Sequence, residues 1–320
     1  MAVPYGRLTN FNQVIEVLRE YPLKKIALSV GQSRSALKAL HQAYSLGIAE
    51  PVIFGDKKEI ETIMKEEELN GGNIEIHDYP DYLEAAYQAA LYVSQGKADI
   101  IMKGQIHSDD YLRSILNKDL NLLEPGQRLS HVFVLEVTNM DKLLLVTDAA
   151  VNIAPDLRQK AIILSNAIFL ARVLGINEPN VAVVSAIELV NPDLPATLDA
   201  AILSKMADRN QIKYGKIDGP FALDNALSAE AARIKKINSP VPGNADILLM
   251  PNIEVGNVLA KSFTYLAGGT MAGIVLGAKI PVVLPSRADS ARSKLMGIAL
   301  AVLVSDMTAD KFVKLGKVHL

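Results

Sequence analysis

Residues able to do chemistry crowd into three short stretches. In PVVLPSRADSARSKL, Pro281 to Leu295, an apolar run stops at a proline, and Ser286, Arg287, Asp289 and Ser290 follow at once. Leu295, Ile298, Ala299, Val302 and Leu303 then recur at helical spacing, which predicts a helix beginning near Ser290. Either Asp289 or Ser290 can cap that helix with no ligand involved. The same residues also suit an oxyanion. First-turn N–H groups, the helix dipole, a serine hydroxyl and a guanidinium would converge on it, and the planar fork of arginine can bind two oxygens at once.

In MPNIEVGNVLAK, Met250 to Lys261, Asn257 and Lys261 are four apart and share a helix face, while Asn252 and Glu254 sit in the turn before it. Capping accounts for one or two such side chains, and four at one strand end suggest binding. In MKGQIHSDD, Met102 to Asp110, Lys103 and Gly104 end a strand, and His107, Ser108, Asp109 and Asp110 open a helix. This group could hold a phosphate, or a metal through His107 and Asp109, or Ser108 or Asp109 could merely cap the helix. One histidine with two acids is a weak metal signature, so no metal is expected. His41, His77, His131 and His319 have no comparable company. Ser33 and Arg34 after Gly31 make a short, unspecific anion loop.

These stretches need strands that deliver them to one edge. KKIALSV, PVIFG, IEIHDYP and ADIIMKG read as strands separated by helices at Ser33 to Leu46, Lys57 to Leu69 and Asp81 to Ser94. Strands apolar on both faces and separated by helices indicate a doubly wound parallel sheet. The rhythm breaks at HVFVLEVTNMDKLLLVTDAAVN, where only Thr138 to Asp141 separate two apolar runs, so an antiparallel hairpin is expected near Leu135 and Leu145. Beyond it come a helix from Pro155 to Leu174, the strand NVAVVSAIE, a helix from Pro195 to Asp208 and the strand ADILLMP. Gly71 and Gly72 read as a turn, and Gly268 and Gly269 as a helix end. A domain change is expected near residue 146. In such sheets ligands sit beyond the carboxyl ends of strands, which is where all three stretches fall.

Composition narrows the function classes. A chain of 320 residues, half of them hydrophobic, suggests two domains. A formal charge of −2 with interspersed signs gives no support for a nucleic-acid partner. The absence of cysteine excludes disulfides, thiolate zinc sites and a cysteine nucleophile, and fits a cytoplasmic location. MAVPYGRLTNFNQ lacks the layout of a signal peptide, and no apolar run approaches the ~20 residues of a membrane span. There is no GxGxxG after a strand, no GxxxxGK[ST] and no GxSxG.

GPFALDNALS and the run from Ser239 to Ser290, SPVPGNADILLMPNIEVGNVLAKSFTYLAGGTMAGIVLGAKIPVVLPSRADS, resemble the phosphate acyltransferases that use coenzyme A. MKGQIHSDDYLRSIL and TDAAVNIAPD fit as well, and SRADS with ATLDAAILSKM is more similar to the phosphate butyryltransferase branch than to the acetyltransferase one. The resemblance implies exchange of acyl-CoA and phosphate for acyl phosphate and CoA, with coenzyme A as substrate and no tightly bound cofactor. It implies two α/β domains like those of isocitrate and isopropylmalate dehydrogenases, with an interdomain cleft, and a homodimer. The first domain would be 1–146 with 286–320, and the second 147–285. Ser286 and Arg287 match the Ser-Arg pair of the family, Arg287 serving phosphate and transition-state charge. Lys103, Gly104, His107, Ser108, Asn252, Glu254, Asn257, Lys261 and Ser290 would line the same cleft. The acetyltransferase pattern places an aspartate seven residues beyond the serine, where this chain has Ser293, so Asp289 or Glu254 stands in as candidate base. The shared fold also allows a metal- and NAD-dependent hydroxy-acid dehydrogenase, which would leave SRADS unexplained.

Overall fold

A computed structural model describes residues 3–69 and 74–307. The turn expected at Gly71 and Gly72, and His319, lie outside the described residues. The chain forms two compact units: residues 11–127 with 272–307, and residues 3–10 with 128–271. The sequence reading placed the domain changes near 146 and 285, whereas contacts divide the chain after Gln127 and after Met271. The division after Gln127 keeps an antiparallel hairpin whole.

The first unit begins with α1 (Phe11–Leu18), β1 (Lys24–Ser29), α2 (Arg34–Ser45), β2 (Ala49–Gly55), α3 (Lys57–Glu66), β3 (Glu75–Asp78), α4 (Tyr82–Ser94), β4 (Ile100–Lys103) and α5 (Ser108–Ile115). The helices start where short polar side chains can accept first-turn N–H groups: Ser33, Asp56 and Asp81 do so for α2, α3 and α4, each such cap contributing about 1 kcal/mol. α1 was not read from the sequence. Arg34 pairs with Glu66 of α3 and with Glu67, its C-cap, so it belongs to a surface ion network.

The second unit contains β5 (Ser130–Glu136), β6 (Leu144–Thr147), α6 (Leu157–Val173), β7 (Asn180–Val184), α7 (Pro195–Asp208), β8 (Lys216–Phe221), α8 (Leu223–Leu227), α9 (Ala229–Ile234), β9 (Ile247–Leu249) and α10 (Ile253–Tyr265). The expected hairpin is present: β5 and β6 run antiparallel, with Leu135 opposite Leu144 and Val134 opposite Leu145. The rest of this sheet is parallel, in the order β5-β6-β9-β7-β8. Its core includes Phe133, Leu144, Val146, Leu248, Phe221 and Ala260. The N-terminal segment is tied on through Leu8, whose N–H donates to the Leu174 carbonyl, and through Arg7, which pairs with buried Asp246.

The chain returns to the first unit through β10 (Thr270–Leu276), β11 (Val282–Val283) and α11 (Ala291–Ser305). The sheet there runs β3-β2-β1-β4-β11-β10 and is parallel except for β10. β11 lies in register with β4, Val283 opposite Met102, so the ends of these two strands, Lys103 and the Ser286 turn, are neighbours. Helices α1, α2 and α11 pack together on this sheet, and α4 packs with α5. α11 is buried from Lys294 to Val304.

A close approach in the second unit needs a glycine. A Cβ on Gly256 of α10 would lie 2.6 Å from the Asp148 carbonyl oxygen, backbone that cannot turn aside. Gly256→Ala is expected to cost about 1–3 kcal/mol through this overlap. Urea unfolding of the variant checks it, and an unchanged midpoint would show that α10 does not need that approach.

Candidate functional site

In the first unit, the carboxyl ends of β4 and β11 bring together the residues that the sequence scatters over nearly two hundred positions. β4 ends at Lys103, which is 3% exposed. Its ammonium makes no hydrogen bond or ion pair among the described residues, and its charged neighbours are Arg287, Lys294 and Asp289. Gly104 follows because the backbone must bend back against β1: a Cβ there would sit 2.1 Å from the Val30 carbonyl oxygen. The Gly104 N–H donates to Ser29 and that of Gln105 to Val30, fixing the lysine at the edge of the sheet. Three cations and one carboxylate leave net positive charge in a partly desolvated place, where an isolated ammonium is costly.

The Ser286–Asp289 segment is a tight turn. The Asp289 N–H donates to the Ser286 carbonyl, and the Ser286 N–H donates to the Asp289 carboxylate at 2.8 Å. Ser290, not Asp289, is the N-cap of α11; its Oγ accepts the Ser293 N–H at 3.1 Å. Ser293, where the acetyltransferase pattern has aspartate, is thus part of the cap, and its Oγ accepts from the Ser290 hydroxyl. Arg287 stands exposed and in no ion pair among the described residues, free to meet an oxyanion.

Lys294 was not singled out in the sequence. It is 2% exposed, and its Nζ donates to the carbonyls of Ser286 at 3.1 Å and Asp289 at 2.6 Å. Burial lowers its pKa, and Asp289 opposes that shift. A lysine at the head of the long apolar run Leu295 to Val304 was the available signal.

At the start of α5 the capping expectation fails. His107, exposed, occupies the N-cap position with no side-chain bond, so neither Ser108 nor Asp109 caps the helix. The chain leaves β4 in a bend that puts the first helical turn at Ser108 itself. Asp110 pairs with Arg113. Among the described residues no group of three or more His, Asp or Glu is placed to hold a metal ion.

The remaining candidates belong to the second unit. Asn252 caps α10, its Oδ1 accepting the Val255 N–H at 3.0 Å, and the Asn257 amide donates to the Ala149 carbonyl at 2.9 Å. Asn252 thus closes the first turn of α10 and Asn257 holds the helix to the segment after β6, while Glu254 and Lys261 are exposed and carry no partner among the described residues. Beside them lies a network that the sequence reading quoted without assigning: the buried Asp148 carboxylate accepts the N–H groups of His131, Ala150 and Val151 and the Asn152 amide, and Asn152 in turn accepts from Arg128.

Residues 81–302 match the family described as phosphate acetyl/butaryl transferase. The chain is also 45% identical to the phosphate butyryltransferase of Clostridium acetobutylicum, over 93% of this chain and 99% of that one. It belongs to the phosphate acetyl/butyryl transferase family. All three stretches lie inside the matched region. The family spans both acyl sizes: a phosphate acetyltransferase of Rhizobium meliloti is 44% identical over 82% of this chain and 83% of that one. The solved branched-chain phosphotransacylase from Enterococcus faecalis has the same fold, with a TM-score of 0.76 and 30% identity over 88% of this chain and 99% of that one. A 4-hydroxythreonine-4-phosphate dehydrogenase from Klebsiella pneumoniae shares the fold at 12% identity and a TM-score of 0.53, covering 88% of this chain and 99% of that one. The expected kinship with dehydrogenases is therefore one of architecture.

Charge gives this family member a testable pH signature. Burial first, then Arg287 and Lys294, lower the Lys103 pKa from the ordinary 10.5 to about 8, with Asp289 opposing. Between those values the unfolded chain holds a proton that the folded chain has released, so this lysine adds stability as pH rises from about 8 to 10.5, and its burial cost is fully present below 8. An oxyanion needs the charged form, so inorganic phosphate should bind about tenfold more weakly at pH 9 than at pH 7 if the ammonium is its contact. Calorimetric titration of wild type and Lys103→Met checks this. Equal pH dependence in the two proteins would remove Lys103 from the anion site.

Proposed function

We propose that the chain exchanges an acyl group between coenzyme A and inorganic phosphate, acting on butyryl- or branched short-chain acyl-CoA. A phosphate oxygen attacks the thioester carbonyl, the C–O bond forms as the C–S bond breaks, and CoA leaves as thiolate. No enzyme nucleophile is needed, which suits a chain without cysteine. The observation that carries this reading is the cationic edge where Lys103 meets the Ser286–Arg287 turn and the N-terminus of α11, in a chain 45% identical to a phosphate butyryltransferase across that protein's length.

In this assignment Ser286, Arg287 and the first-turn N–H groups hold phosphate and take up charge developing on the carbonyl oxygen, the kind of preorganised donor set that stabilises acyl-transfer transition states. Lys103 adds its ammonium as a further contact to phosphate. Asp289 and Glu254 are the candidate carboxylates for the thiol proton in the reverse direction; Asp289 is engaged by the Ser286 N–H, whereas Glu254 has no partner among the described residues. His107, Ser108, Asn257 and Lys261 are assigned to substrate contacts.

Two further assignments go with this function. Val258 and Tyr265 stand exposed on α10 and Leu266 at its C-cap, apolar surface that favours a homodimer. Among the described residues no helix is long and apolar enough to cross a membrane. A cytoplasmic location suits the proposed substrates.

Arg287→Ala is expected to lower kcat for phosphate-dependent release of CoA by about 100-fold or more with the melting temperature nearly unchanged. Normal turnover in that variant would sink the role of Arg287. A series of acetyl-, propionyl-, butyryl- and branched acyl-CoA should rank butyryl and branched above acetyl in kcat/KM, by about tenfold per favoured methylene. A clear preference for acetyl would reassign the chain to the acetyltransferase branch.

A further inference from the structure

We propose that Lys294 is a positioning residue of the acyl-transfer site, holding the Ser286–Asp289 turn in the shape that presents Arg287 and the Ser286 hydroxyl to phosphate. This rests on the reading of the chain as a phosphate acyltransferase.

Three observations carry it. First, the ammonium reaches back from the opening turn of α11 to both ends of the turn, Ser286 and Asp289, through their carbonyls rather than their side chains. A backbone clasp fixes chain path, and it does not itself occupy the Arg287 guanidinium or the Ser286 hydroxyl. Second, the lysine is almost fully buried in a helix whose next ten residues are all buried, so surface solubility does not explain it. A buried ammonium with two acceptors costs stability relative to an apolar residue of similar volume, and that cost points to a specific task. Third, the clasp is local to the anion edge: Lys294 is a charged neighbour of Lys103, along with Arg287 and Asp289. The clasp therefore does two things, aiming the turn and adding positive charge behind the unpaired Lys103.

The absence of cysteine allows a clean test. K294M removes the charge, and K294C can be unfolded, aminoethylated to restore an amine at nearly the original reach, and refolded. Turnover is followed by phosphate-dependent loss of thioester absorbance, which the new thiol does not disturb. In K294M and unmodified K294C, the KM for phosphate is expected to rise about tenfold and kcat to fall about tenfold, with the KM for acyl-CoA unchanged, since misplacing one reacting group by about an ångström costs on the order of 100-fold. Removing a like charge also moves the alkaline limit for phosphate binding upward. Aminoethylation of K294C brings both constants back to within a few-fold of wild type. A purely structural lysine predicts instead a lower melting temperature with unchanged KM and an unmoved pH limit, and that result would overturn the proposal. If neither unmodified variant folds, refolded aminoethylated K294C decides: restored turnover supports the clasp, and a restored fold without turnover overturns it. Calorimetric phosphate binding to wild type and K294M separates this from the functional reading. Wild type that binds phosphate but turns over no acyl-CoA defeats the acyltransferase assignment, while equal phosphate affinity in the two proteins defeats the role of Lys294.

Discussion

The geometry of the anion edge depends on how a parallel sheet ends. Backbone groups beyond the last ladder bond must find other partners, and at the ends of β4 and β11 they find them in one another's neighbourhood: Gly104 and Gln105 donate to β1, and the carbonyls of the Ser286 turn accept from Lys294. Each bond satisfies a group that would otherwise be stranded, and Lys103 and Arg287 are left without a partner among the described residues. The scaffold uses up its backbone polarity and leaves this charge unpaired among the described residues.

The same logic separates residues that look alike in sequence. Asn252 and Asn257 sit at a strand end with the composition of a binding loop, and both are spent on the architecture, one on the first turn of α10 and one on the Ala149 carbonyl. The buried Asp148 does comparable work after β6, gathering N–H groups that the turn leaves open. Carbonyl and amide bonds of this kind are worth about 1 kcal/mol each when made and more when broken, so these polar side chains hold the unit's loops in shape whatever their relation to substrate.

Much of this was legible beforehand. Period and spacing placed α7 at Pro195–Asp208 and put the start of α11 at Ser290, and the short Thr138–Asp141 link announced the β5–β6 hairpin. The SRADS cluster was found because arginine and serine immediately before an apolar helix are conspicuous. Which of Asp289 and Ser290 caps could not be read, since both are good caps at successive positions and the choice follows from the backbone path of the turn. His107 escaped for a related reason: a helix can begin without a side-chain cap, and the sequence offered two attractive but unused ones. Lys294 escaped because periodicity weighs apolar positions, and a buried cation among them reads as noise.

Lys103 also has a consequence for traffic through the site. An ammonium whose affinity for its proton is reduced to about that of a mild buffer does not simply wait for an anion. If an oxyanion takes Lys103 as its contact, it favours the charged form, so occupancy and protonation near pH 8 rise together. Loading such a site would draw a proton from solvent, and emptying it would give the proton back.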